Sequence, residues 1–425
     1  MRSIFLVTGA ALLFTGAASA TAACSSNTTI INADDGGTTT PTDASTGADV
    51  IVDGGVDARY ENTFPAPHAA IPNVLPQSGV PANVIAHPKI VTIGYDSDSA
   101  RPELEAFTDA MVGSAWWKAA THEYCGGPTN ECIGDVSVGA HVSLSQVPTA
   151  LDTAQVESYL YALIANGSVP APSPGVLYTF FFPQSVTLGE PGFEGCSAFD
   201  GYHSFSGNLP PDSIDAGSLE GGAMPQVAYA VVARCSSNIR EATLTAAHEW
   251  IEASTDPDGY GYTVNDAAWS AFFYPEVGDL CDFEPENLVG KYTVQSGFSN
   301  AAANAGKNPC VPNDGKPYFN AAPEKNLVKV AVGDSITINV MPYSEQGAGE
   351  FTLDALDLAT LYQKPAVVDA VVADSTVKNG LPTTVTLTLL SKPEPLQTGQ
   401  VAAVVALRST QGKTSHYWPI LVAPK

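Results

Sequence analysis

Residues 245–262 read TAAHEWIEASTDPDGYGY, and His248 and Glu252 stand four apart within them. On a helix that spacing places both side chains on one face, a turn apart, where they can share a ligand. Glu249 lies one position round, placed to reach a water bound by that ligand. A metal ion there would draw the pKa of its water toward neutrality and polarise a carbonyl, with Glu249 as general base. A third protein ligand is needed. Glu276, in YPEVGDLCD (274–282), is preferred, with Asp279 behind it as acidic support. Asp258, ten residues after His248, is one alternative, and His203 in FDGYHSF (199–205) is another, as ligand or as donor to an oxyanion. Zinc is the ion expected for a His/carboxylate set.

The arrangement resembles the HExxH metallohydrolases, with Glu in place of the second His. The position of Asp258 resembles that of the third ligand in metzincins, and Glu276 with Asp279 resembles the second-helix Glu and its supporter in gluzincins. HEWIEASTDP, Trp269 and PEVGDLC (275–281) together resemble the phosphate-induced, exordium-like family of secreted proteins. GYH (201–203) and YAVVARC (229–235) sit where that family carries a Gly/aromatic-His loop and a strand ending in Cys. The resemblance spans roughly residues 85–285. It implies a secreted protein with a zincin-like pattern, in which His248, Glu252 and Glu276 carry over as ligands and Glu249 as base. Carboxylate in place of imidazole adds negative charge and weakens the Lewis acidity of a metal, so a structural or vestigial site is the competing expectation.

These residues need a scaffold. KIVTIGY (89–95), residues 136–143, VLYTFFF (176–182) and QVAYAVVA (226–233) read as strands; residues 102–122, 154–166 and about 240–255 read as helices. This predicts an α/β or α+β zincin-like central domain over 85–320 with a mixed sheet. Trp116, Trp117 and Trp269 are expected in its core rather than on a sugar-binding surface. From 321 to 425, VKVAVGDSITINV (328–340), TTVTLTLL (383–390), VAAVVALRS (401–409) and YWPILVAP (417–424) alternate or are β-branched, which predicts an immunoglobulin-like β-sandwich.

Residues 1–24 read as a secretory signal, with cleavage after Ala20 or Ala22 or, because TAAC resembles a lipobox, lipidation at Cys24. Setting Cys24 aside leaves Cys125, Cys132, Cys196, Cys235, Cys281 and Cys310, an even set whose simplest pairing is in sequence order. Residues 25–84 are expected to be a tether, low in apolar residues to about Arg59 and then punctuated by proline, running extended along the folded body. The formal net charge of −26 excludes nucleic acid as a natural partner. Part of that charge is local: Glu249, Glu252, Asp256, Asp258, Glu276 and Asp279 crowd one stretch, which repels itself unless a cation or separation in space relieves it. The expectation is an exported, lipid-anchored, zinc-dependent peptidase-like hydrolase acting on a peptide or protein, touching a membrane only through its anchor. The rivals are a surface- or matrix-binding protein whose ligand docks on the C-terminal domain, and a carbohydrate hydrolase using paired carboxylates.

Overall fold

The computed structural model describes residues 60–76, 82–127, 129–206 and 227–425. The signal segment, Cys24 and the chain to residue 59 lie outside them, as do residues 207–226. The described chain is mixed α/β and mostly strands.

The central unit is a five-stranded sheet. Its strands are β1 (Lys89–Tyr95), β2 (Ser137–Leu144), β3 (Val176–Phe182), β4 (Gly201–Phe205) and β5 (Ala228–Ala233), lying side by side as β4-β5-β3-β1-β2. Four run parallel, while the edge strand β4 is antiparallel to β5. Parallel strands are covered on both faces, so β3 is buried at all seven positions and reads as a continuous apolar run. Val91, Ile93, Tyr178, Phe180 and Val231 line one face, against α3 (Thr153–Ala165). Ile90, Leu177, Phe181, Ala230 and Val232 line the other, against α4 (Ile239–Thr255).

The single helix expected over 102–122 is two, α1 (Arg101–Met111) and α2 (Ala115–Thr121). Val112 turns extended, with ψ of 121°, and the Ser114 side chain then accepts from Trp117 N to cap a new helix. The tryptophans are where the sequence puts them: Trp116, Trp117 and Trp269 are all buried.

The described part of the Pro-rich leader runs along the folded body, as expected. Ala66, Ile71 and Val74 are buried, and Val74–Pro76 pairs with Tyr262–Val264. Ala66 N donates to Asn379 of the C-terminal unit, so residues 60–76 strap the two units together.

That C-terminal unit is a two-sheet β-sandwich. One sheet contains Phe319–Pro323, Ser335–Ser344, Thr383–Leu389 and Val368–Val372; the other contains Leu327–Val330, Thr414–Pro424, Ala403–Gln411, Phe351–Asp357 and Thr376–Val377. The stretch 328–340 is therefore two strands in different sheets, not one. Trp418 meets Trp269 edge-on where the sandwich joins the central body.

Three disulfides join Cys125–Cys132, Cys196–Cys235 and Cys281–Cys310, the pairing in sequence order. They suggest an exported or extracellular protein. Among the described residues no helix is long and apolar enough to cross a membrane.

Candidate metal centre

The site is built on α4. Asn238 caps its start by accepting from Arg240 N, and Ala242, Ala246, Ala247 and Ala253 are buried. Small side chains let the helix approach the sheet closely, and Trp250 fills the space between, stacking on Phe107 and donating Nε1 to Thr179 Oγ1 at 2.8 Å. The helix is thereby fixed in rotation, which aims His248, Glu249 and Glu252 at strand β4 and the 276–282 segment.

From β4 comes His203. It pairs in register with Ala230, whose side chain is on the α4 face, so strand alternation sends the imidazole toward the helix. His203 Nδ1 lies 3.5 Å from Glu249 Oε2 and 3.5 Å from Glu252 Oε2, and its Nε2 lies 3.7 Å from Glu276 Oε1. On the other side of Glu252, His248 Nε2 stands 3.1 Å from Oε2 of that carboxylate and 3.8 Å from Asp279 Oδ1.

The segment 276–282 closes the site. Asp279 N donates to Glu252 Oε1 at 3.0 Å, and Glu276 N donates to Asp279 Oδ2 at 3.2 Å. Gly278 permits the approach: a Cβ there would stand 2.8 Å from Glu252 Oε1 and 3.0 Å from His248 Nδ1. The Cys281–Cys310 disulfide anchors the far end.

Gln295 orients His248. Its Nε2 donates to Gly278 O at 2.7 Å and to Asp282 Oδ1 at 3.0 Å, so its Oε1, 3.0 Å from His248 Nδ1, must be the acceptor. Nδ1 therefore carries a hydrogen, and Nε2 is the nitrogen presented to Glu252. A neutral imidazole lone pair facing a carboxylate is repulsive, so the arrangement calls for a proton or a metal ion between them.

Electrostatics say the same. Burial lowers both imidazoles, but Glu276, Glu249 and Glu252 around His203, and Glu252, Glu249 and Asp282 around His248, outweigh it and hold both well above the ordinary histidine value. Burial, reinforced by neighbouring carboxylates, drives Glu276 and Asp279 well above the usual range; partial desolvation beside this cluster and the charges of Glu252 and Glu249 push Asp282, whose side chain is still 42% exposed, to about 6. Burial also raises Glu249 and Asp256. Glu252 alone is lowered, because the two imidazoles outweigh its burial. Among the described residues the only cationic partners of these carboxylates are His203 and His248.

Two sets of ligand atoms lie within 4.8 Å of one another: His203, Glu252 and Glu276; and His248, Glu249 and Glu252. The expected ligands His248, Glu252 and Glu276 are thus gathered in one cluster, but Glu276 enters it through His203. His203 is central rather than peripheral. Asp258 is not in either set; beyond the end of α4 it accepts from Asn83 Nδ2 at 2.6 Å at the surface, because the chain turns away after Asp256. Asp282 and Gln295 were not among the expected residues. Asp282 adjoins the DLC motif, whereas nothing in the sequence around Gln295 marks it.

No protein-family model and no curated protein matches this sequence. Among solved structures, a chimeric titin Z1Z2 carrying a KLER peptide from decorin is 12% identical, covering 26% of this chain and 97% of that one, with a TM-score of 0.17. The titin M3 domain is 12% identical over 26% of this chain and 96% of its own, TM-score 0.17. Domain 1 of VCBP3 from Branchiostoma floridae is 9% identical over 26% and 98%, TM-score 0.18.

Proposed function

We propose that the protein is an exported metal-dependent hydrolase, with zinc as its ion and a peptide or protein as its substrate. The observation that carries this reading is the convergence of two imidazoles on the single carboxylate of Glu252, amid other buried carboxylates that pair with no lysine or arginine of the described chain. The donor set fits a divalent transition metal: imidazole nitrogen and carboxylate oxygen, a second-sphere amide fixing one ring, and a backbone amide holding Glu252. His248 and Glu252 would hold the ion, with His203 and Glu276 gathered on the other side of Glu252. Bound there, the metal would supply an acidified water and a polarised carbonyl.

Glu249 takes the proton from the attacking water. Its side chain is 5% exposed and its nearest partner is His203 Nδ1. Burial raises its pKa, which moves a carboxylate toward the range useful to a general base. His203, whose Nδ1 lies 3.5 Å from its Oε2, orients the carboxylate. A mixed sheet followed directly by the HExxE helix supports a zincin-like central domain. The two motifs behind the exordium-like resemblance, HEWIE and EVGDLC, also meet at one site through Asp279 N and Glu252.

The test is paired. Protein prepared without chelators should contain stoichiometric metal and cleave members of a broad peptide library. Glu249→Gln should keep the metal while losing at least about 100-fold in rate. Metal-free wild type with no cleavage would sink the reading.

One observation favours a non-catalytic alternative. Glu249, Glu252 and Glu276 are 4%, 3% and 8% exposed, a degree of burial that suits a structural ion. In that reading a surface ligand binds elsewhere, at the immunoglobulin-like sandwich; an aromatic recess between Trp269, Phe273, Phe283, Tyr318 and His416 lies at its junction with the central body. Metal retention without hydrolysis would select it.

A further inference from the structure

Resting on the metal-centre reading, we infer that the site takes two divalent cations, bridged by the carboxylate of Glu252. The two ligand sets that converge within 4.8 Å share Glu252 and nothing else. His203, with Glu276, stands on one side of Glu252, and His248 on the other. A single cation would satisfy one set and leave the other imidazole facing carboxylates unaided.

The spacings on the His203 side are those of co-ligands rather than of hydrogen bonds. Its Nδ1 is 3.5 Å from Glu252 Oε2, at the outer limit for hydrogen bonding. Two donors each about 2.0–2.1 Å from one tetrahedral ion stand about 3.4 Å apart. Glu249 belongs to the other set, with His248, and its side chain is 5% exposed and faces the cluster, 3.5 Å from His203 Nδ1.

Charge gives the count. Glu249, Glu252, Asp256 and Glu276 are buried, Asp279 and Asp282 stand beside them, and no lysine or arginine of the described chain pairs with any of the six. Elsewhere the chain does meet a buried carboxylate with a fixed cation, Asp98 with Arg234. Here the four buried carboxylates, Glu249, Glu252, Asp256 and Glu276, meet no such cation, and two divalent ions would offset their charge. Two cations sharing a carboxylate stand about 3.5–4 Å apart, a spacing that suits a clamp on the attacking and leaving groups of a hydrolysed substrate.

Metal stoichiometry decides this separately from the function. The full exported chain, stripped and titrated with Zn2+ by calorimetry and native mass spectrometry, should bind two ions. His203→Ala and His248→Ala should each bind one, and Glu252→Gln none tightly. Loaded with Mn2+, the wild type should give the exchange-coupled magnetic resonance signal of a bridged pair. One zinc per chain with no coupling overturns the two-ion inference and leaves the proposed function standing. No zinc at all overturns both. Should a variant fail to fold, judged by circular dichroism, the wild-type stoichiometry and coupling still decide between one ion and two.

Discussion

In the C-terminal sandwich, burial follows the pleat. Along Thr383–Leu389, Val385, Leu387 and Leu389 are fully buried while Thr384, Thr386 and Thr388 face outward, and two of these threonines bond across to Thr337 and Ser335. The central body buries charge as well. On α4 the interior positions include Glu249 and Glu252 beside Trp250 and Ile251. A sandwich strand needs only an apolar partner, which any neighbouring strand supplies. A buried carboxylate needs specific partners, and here they come from β4, the 276–282 segment and Gln295, far apart in the chain. A core of alternating apolar residues holds a shape by local pairing, whereas a core that concentrates like charges depends on partners brought together from distant segments.

The largest effect is expected at the helix that carries the site. Trp250→Ala removes a fully buried ring and should cost about 3–5 kcal/mol in denaturant unfolding. A loss under about 1 kcal/mol would mean that the helix is not positioned by this core.

Next comes the Cys281–Cys310 pair, which closes 29 residues; replacing both with serine should cost roughly 3–4 kcal/mol, read from the unfolding midpoint. Because the bond anchors the segment holding Glu276 and Asp279, metal affinity should fall too. An unchanged affinity would detach the disulfide from the site.

Gly278→Ala is subtler. The new methyl would crowd Glu252 and His248, so zinc affinity should drop about 10- to 100-fold by competition titration while secondary structure is retained. Full affinity would show that this close approach is not needed.

The pH dependence of the metal-free chain tests the charge argument by sign. His203 and His248, raised in the fold, contribute stability that is present below 6.5 and lost as pH rises through their folded values. Glu276, Asp279 and Asp282 are also raised, so the folded state holds protons the unfolded chain releases, and stability again falls with rising pH, for Asp282 between 3.8 and about 6. Glu252, lowered, acts oppositely, but only below 4.5. The Tm in chelator should therefore fall from about pH 5 to about pH 8, and saturating zinc should reverse the trend because protons compete for the ligands. A metal-free Tm that climbs over this range would contradict the assignment.

The smallest effect belongs to the sandwich surface. Arg408 pairs with Asp354 across strands at an exposed position, and Arg408→Ala should cost only about 0.2–1 kcal/mol, with zinc binding unaltered.

Much of this was legible in the sequence. Lys89–Tyr95 and Val176–Phe182 are strands with the predicted bounds, since apolar β-branched and aromatic runs of that length can be buried in few other ways. The HExxE spacing alone put His248, Glu249 and Glu252 on neighbouring helical positions, and an even cysteine set let all six cysteines pair, while which pairs form came with the fold. Local patterns of this kind report what a segment does with its own hydrogen bonds and side chains.

The fold decided what joins that helix. Whether Asp258, Glu276 or His203 stands beside Glu252 depends on which way the chain turns after Asp256, on the antiparallel return of β4, and on a glycine small enough to let 276–282 approach. Gln295 orients His248 from 47 residues away. Residue type and spacing determined which groups could do chemistry, because helical geometry is local; their number and order around Glu252 came only with tertiary structure, because distances between segments are set by how their faces pack.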